Sequence, residues 1–249
     1  MFPIITDPWF YAVALPAVFL MGVSKSGFGS GFGSLVVPIM ALSVPVPQAA
    51  AIMLPLLLVM DLMGLAAFRQ HVDRQWLRFM LPWALLGTLI GTVLFGLLDP
   101  KVVAAIVGAF TLLFLAQRLL FPPRPDHVAP GWLSKALITC SGFTSFIAHA
   151  GGPPMNAYAI ALRHPPMVYT GTLAYLFFYV NLAKWVPYGW LGLLDWRNAA
   201  TSLALLPMAP LGVWAGVRVA QRISAQWFYR IVLGGMALTG SKLLWDGLH

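Results

Sequence analysis

The sequence predicts an all-α polytopic membrane protein of two inverted repeats. Each repeat holds a broken or re-entrant pair of short helices followed by three full transmembrane helices, about 8–10 segments in total. Three observations carry this prediction: an apolar composition, apolar runs long enough to cross a bilayer, and a likeness between the two halves of the chain.

Composition sets the solvent. Of the 249 residues, 60% are apolar and 9% charged, and a soluble domain of this length could not bury so much apolar surface in one core. All seven acidic residues are Asp, so long solvated helices laced with Glu–Lys pairs are absent. The formal charge of +8 comes from Lys and Arg placed singly between apolar runs. That spacing argues against nucleic acid as a partner and for membrane loops. Met1–Pro8 lacks a basic leader, so no cleaved signal peptide is expected. The single cysteine, Cys140, offers neither an intramolecular disulfide nor metal-site spacing and reads as packing.

A helix needs about 20 apolar residues to cross a hydrocarbon core of ~30 Å. Five runs meet this: Gln48–Phe68, Trp76–Leu98, Val102–Leu120, Met167–Tyr188 and Trp196–Val219; Trp227–Leu244 is slightly shorter. Four further segments, Trp9–Val23, Gly31–Leu42, Trp132–Ile147 and Pro153–Leu162, are shorter still and come as two pairs split by small polar residues. Such pairs read as discontinuous helices, whose open backbone must be buried in protein or line a wet cavity.

The halves resemble each other. A shift of 120 positions lays Gly31–Leu42 on Gly151–Leu162, Pro45 on Pro165 and Asp61 on Asn181. A shift of 125 lays Leu81-Pro82 on Leu206-Pro207, Gly87 on Gly212 and Gly91 on Gly216. The repeats are thus expected at 1–120 and 132–249, with the Pro-rich stretch 121–131 as linker. A broken pair returns the chain to its starting side and three spans then invert the next half. Arg69, Arg74, Arg78, Arg118, Arg124, Lys135, Arg163, Arg218, Arg222 and Arg230 collect on one face, against Lys101, Arg197 and Lys242 on the other. The positive-inside rule therefore puts the linker in the cytoplasm and both termini outside a bacterial inner membrane. Trp9, Trp76, Trp132, Trp190, Trp196, Trp227 and Trp245 fall near span ends, where an aromatic belt is expected.

The breaks carry the chemistry. Gly22–Pro38 reads GVSKSGFGSGFGSLVVP: Ser24 and Ser26 supply hydroxyls, Lys25 a cation, and Gly27, Gly29 and Gly31 let backbone approach closely. The next short helix would point its N–H groups at this loop, which suits an anion. Ser141–Asn156 is the counterpart, with Thr144, Ser145, His149, Gly151, Gly152 and Asn156 as candidate ligands and Pro153-Pro154 suited to a helix start. Gly spacing alone, as in Gly27 to Gly31, also serves helix packing. The coincidence of break, hydroxyls, Lys25 and recurrence favours substrate binding.

These two stretches, Gly22 through Pro38 and Gly142 through Pro154, resemble the sulfite exporter TauE/SafE transporters, and the resemblance extends over nearly the whole chain. It implies movement of small sulfur-containing or organic anions, including sulfite, thiosulfate and sulfonates. The sequence departs from the family's commonest pattern where Ala148-His149-Ala150 precedes Gly151-Gly152.

Ionisable groups within spans default to function. Lys25, Asp61, His149 and Lys184 qualify and, with His149 neutral, sum to one positive charge that a monoanion would balance. Lys25 is either the anion ligand or an ion-pair partner of Asp61. Asp61 and Asn181 read as coupling or ion-pairing groups. Lys184 either joins Asn181 on one helical face or snorkels to the interface. His149 could bind substrate, relay a proton or be structural.

Secondary transport of a small anion, with export as the direction that an inside-negative potential drives, is the leading reading; no nucleotide-binding motif is present. An intramembrane serine hydrolase and a metal-cation transporter are the alternatives; the first lacks a nucleophile elbow and the second a ligand cluster. The partners implied are a small anionic substrate and membrane lipid, with no nucleic acid, no cofactor and no bound metal. Self-association into a homo-oligomer stays open.

Overall fold

A computed structural model describes residues 4–27, 33–120, 131–159, 162–219 and 225–249. Among them the chain is entirely helical, with no strand. The order is α1 (Pro8–Gly27), a 3-10 turn (Gly33–Leu35), α2 (Val36–Met40), α3 (Val46–Phe68), α4 (Arg74–Phe95) and α5 (Pro100–Leu120). Then come α6 (Gly131–Ala148), α7 (Gly152–Ala159), α8 (Pro166–Trp190), α9 (Trp196–Leu205), α10 (Met208–Val219) and α11 (Ala225–Leu248). Among the described residues three stretches are long and apolar enough to cross a membrane: Pro8–Lys25, Val46–Phe68 and Arg74–Phe95.

At the centre α3 lies against α8. Ala49 through Leu54 of α3 are all buried in an unbroken run, the mark of a helix surrounded by protein. α4 is different. Its buried residues Trp76, Met80, Ala84, Gly87, Gly91 and Phe95 form one stripe at helical spacing, while Leu86, Leu89, Val93 and Leu97 are exposed. An apolar face of that size left open belongs in lipid.

Around this centre α1 packs along α10, α4 along α6, and α5 along α11. All three contacts depend on glycine, α5–α11 through Gly108 and Gly247, where a Cβ would meet the Leu244 and Ala105 backbone nitrogens at 2.4 Å. A Cβ on Gly142 would come within 1.9 Å of the Ala84 carbonyl oxygen, and one on Gly87 within 1.9 Å of that of Thr139. Likewise a Cβ on Gly212 would meet the Phe19 oxygen at 2.5 Å, and one on Gly22 the Gly212 backbone at 2.7 Å. Backbones this close use small residues as transmembrane helices generally do.

Three expectations are corrected. The predicted short helix Trp9–Val23 is instead a continuous α1 through Gly27. Ser24 and Ser26 favour helix less than Lys25 between them, but an apolar surrounding offers their backbone groups no water, so the ladder continues. The predicted single span Trp196–Val219 is two helices joined at Leu206-Pro207. Pro207 and Pro210 remove the donors that would reach Leu203 and Leu206, and the chain tightens to i→i−3 bonds there, Leu206 N to Leu203 O (3.2 Å) and Ala209 N to Leu206 O (3.1 Å). Trp76 is no belt residue: it is 6% exposed, donates to the Tyr158 hydroxyl (3.1 Å) and stacks on His164. Trp9, Trp132, Trp190, Trp196 and Trp245 are exposed as expected. The side chain of Trp227 and the linker 121–130 lie outside the described residues.

Candidate functional site

α1, α3, α6, α7 and α8 converge on a cavity of about 90 Å³. α1 brings Ser24 and Lys25 to its wall from its last turns, and α3 brings Asp61 and Gly64. Ser145 and His149 come from the end of α6, Gly152 from the start of α7, and Asn181 from the middle of α8. Met21, Leu57, Met60, Leu173 and Phe177 make the remaining wall apolar.

The polar groups form one connected chain. The Lys25 ammonium pairs with Asp61 Oδ1. Asp61 Oδ2 accepts from Asn181 Nδ2 at 2.7 Å. Asn181 Oδ1 in turn accepts from Lys184 Nζ at 2.8 Å. Lys184 further donates to the carbonyl and hydroxyl oxygens of Ser145, at 2.6 and 2.8 Å, and meets His149 Nδ1 at 3.0 Å. The far nitrogen, His149 Nε2, lies 2.9 Å from the Ala50 carbonyl oxygen.

A carbonyl only accepts, so Nε2 carries the ring proton and Nδ1 offers its lone pair to the Lys184 ammonium. His149 is therefore the neutral tautomer. Its backbone is also unusual, with φ +52, a conformation that costs non-glycine residues energy and clusters at functional sites. This turn ends α6 in a left-handed cap, with His149 N donating to Ser145 O at 3.0 Å. Glycine would adopt it more easily, so the imidazole is what the position requires.

The two lysines differ. Lys184 is wholly buried, so of its two readings it takes the one that joins Asn181 on a helical face and does not snorkel; four acceptors surround its amine. Lys25 keeps 22% of its side chain accessible on the cavity wall. Counted as formal charges, with His149 neutral, Lys25, Asp61 and Lys184 sum to one positive charge.

Other predicted ligands fall elsewhere. The Thr144 hydroxyl turns to the backbone oxygens of Cys140 and Ala150, at 2.9 and 3.0 Å, and lines a separate apolar pocket of about 290 Å³ between α5, α6 and α7, together with Cys140. Gly151 is wedged between α6 and α8, where a Cβ would meet Phe177 at 2.7 Å. Asn156 accepts from the Tyr169 hydroxyl, and Tyr169 lines the cavity. Ser26 and Gly27 end α1, the side chain of Ser26 not being described, and Gly29 and Gly31 lie outside the described residues. Sequence reading missed Tyr169 and Phe68, which line the cavity toward the ends of α3 and α8; aromatic residues near span ends carry no mark that separates a pocket wall from a lipid face.

The cavity has two unlike ends. Phe68, Tyr169 and Thr170, half-buried, lie where α3 ends and α8 begins. Beyond His149 the rings of Phe95, Phe146 and Tyr188 pack edge to face at 5.7 and 5.1 Å, and the Tyr188 hydroxyl donates to Phe146 O at 2.6 Å. Phe146 and Tyr188 are fully buried.

The arrangement suits binding better than hydrolysis. A serine nucleophile needs a base, and both ring nitrogens of His149 are engaged by Ala50 and Lys184. Among the described residues no three of His, Cys, Asp and Glu stand close enough to hold a metal ion.

The description "Sulfite exporter TauE/SafE" belongs to a family that matches residues 14–243, most of the chain. The protein belongs to this family. Membership in TauE/SafE, with the apolar helices, makes it a membrane protein of a family of sulfite and anion exporters, transporters rather than enzymes. Comparison with curated proteins and with solved structures returns no match.

Proposed function

We propose that the chain is a secondary transporter that exports a small anion, sulfite or a related thiosulfate, sulfonate or other organic anion, across a bacterial inner membrane by alternating access. The observation that carries this reading is the cavity lined by Lys25, Asp61, Asn181 and His149 amid apolar walls, with the buried Lys184 hydrogen-bonded directly behind Asn181 and His149.

Two inverted repeats, 1–120 and 132–249 about a cytoplasmic linker, are supported by helix pairing that reads the same when the halves are exchanged. α1 lies on α10 as α6 lies on α4, and α3–α8 and α5–α11 each pair a helix with its counterpart. The glycine contacts correspond as well, Gly22 with Gly212 and Gly142 with Gly87.

Alternating access draws support from the cavity's unlike ends. The end near Phe68 and Tyr169 adjoins Arg69, Arg74 and Arg163, the side assigned to the cytoplasm; behind His149, on the other side, lies the buried Phe95–Phe146–Tyr188 cluster. This is the arrangement of a carrier loaded from the cytoplasm, with both termini outside. An inside-negative potential then favours outward anion movement by about 2.3 kcal/mol per charge per 100 mV, so export needs no coupling ion.

Lys25→Ala in proteoliposomes tests the site. A charge-assisted contact is worth about 1.5–3 kcal/mol, so sulfite or sulfonate flux should fall by about ten- to a hundredfold. Undiminished flux would reject the assignment.

A further inference from the structure

Asp61 and Asn181 occupy matched places on α3 and α8, and their side chains touch, Asn181 Nδ2 donating to Asp61 Oδ2 at 2.7 Å. The two side chains have nearly the same shape and differ in charge. Asp61 balances Lys25, while Asn181 turns a neutral amide oxygen to Lys184. Lys184 has no carboxylate of its own: its partners are Ser145, His149 and Asn181. Among the described residues, Lys25 and Asp61 are the only Lys, Arg, Asp or Glu lining the cavity.

From this we infer that Asn181 is the valence-setting residue of the site. An amide here, where Asp61's place holds a carboxylate, leaves one ammonium uncompensated, and the site completes its charge with an anion of single charge. A second carboxylate at 181 would complete it from within, and an amide at both positions would leave two charges to fill. The inference rests on the reading that the cavity holds an anion. It adds that the preferred substrate is a monovalent oxyanion, such as an alkyl sulfonate or hydrogen sulfite, rather than a divalent one.

The geometry favours a residue at 181 that both donates and accepts. Asn181 Nδ2 satisfies Asp61, and Oδ1 satisfies Lys184, so the amide conducts no net charge between them. In Asn181→Asp each carboxylate retains an ammonium, Lys25 for Asp61 and Lys184 for the new one. A proton shared between the two acids would mimic the amide, so that variant is read across pH. The groups facing it are Lys25 on α1, Asp61 on α3, His149 beyond the end of α6, and Lys184 and Tyr188 on α8.

The test measures binding of methanesulfonate (one charge) and thiosulfate (two charges) to the purified full chain by calorimetry and thermal shift. The wild type should prefer methanesulfonate. Asp61→Asn should move the preference toward thiosulfate on the order of tenfold or more, the effect of one unit charge across a pocket of low dielectric. Asn181→Asp should weaken methanesulfonate by a similar factor once alkaline pH removes any shared proton. An unchanged ratio in Asp61→Asn, or wild-type affinity in Asn181→Asp at every pH, overturns the inference. If the wild type binds neither probe nor sulfite, the anion-transport reading itself fails, and this inference with it.

Discussion

Lys25 and Lys184 bring the same ammonium to one site from opposite halves of the chain, and they are held in opposite ways. Lys25 reaches from the last turn of α1, pairs with Asp61 and keeps part of its length on the cavity wall. Lys184 sits within α8, shares its protons among four acceptors and has no exposure. Shifted by 120 positions, Lys25 falls on Ser145 and Gly64 falls on Lys184. The second half has therefore moved its amine from the broken element to the central helix, and Gly64 leaves open the space that Lys184 fills in its own half. The difference teaches that similar charges can be divided into a ligand and a fixed part of the floor.

The comparison breaks most readily at Lys184. Replacing it with Met, of similar length, strips Ser145, His149 and Asn181 of a shared donor, and each buried acceptor left unsatisfied in this way costs about 1–3 kcal/mol. A marked drop in melting temperature is expected. Lys25→Met leaves the buried Asp61 carboxylate with Asn181 as its remaining partner and should cost about 3 kcal/mol, while also removing anion binding. Anion binding kept by Lys25→Met, or lost in a folded Lys184→Met, would erase the distinction between ligand and floor.

Between these lies the packing of the halves. Gly142→Ala puts a methyl against the Ala84 carbonyl at 1.9 Å and should cost about 1–3 kcal/mol, as overpacking does. Gly22→Ala, whose nearest backbone contact is 2.7 Å, should cost less; denaturation of both in detergent checks the order. The smallest effect is expected for Ser145→Ala. Lys184 then keeps the Ser145 carbonyl and loses only the hydroxyl, a change of about 1 kcal/mol.

Much of this polar set could be read in the sequence, because charge inside an apolar span is costly and stands out. Lys25, Asp61, Ser145, His149 and Asn181 were legible for that reason and line one cavity. Thr144 was not separable from Ser145: one residue apart on a helix is about 100° of rotation, and a stretch of small polar residues such as Ser141–Ser145 does not announce which face is inward. The continuity of α1 was hidden because weak helix formers look like a break, whereas solvent decides. Trp76 shows the same limit, since an aromatic at a span end packs inward whenever a neighbour such as His164 or Tyr158 offers a partner.

The divided helix α9–α10 has a mechanical meaning. Its counterpart α4 carries Pro82 without interruption over 22 residues, so it can pass a displacement from end to end like a lever. Where Leu206-Pro207 parts α9 from α10, the same displacement is absorbed as an angle between two shorter rods. α9 lies on the central α3 and α10 chiefly on α1, so the joint falls between the half of the pair that rests on the core and the half that rests on the helix bearing Lys25.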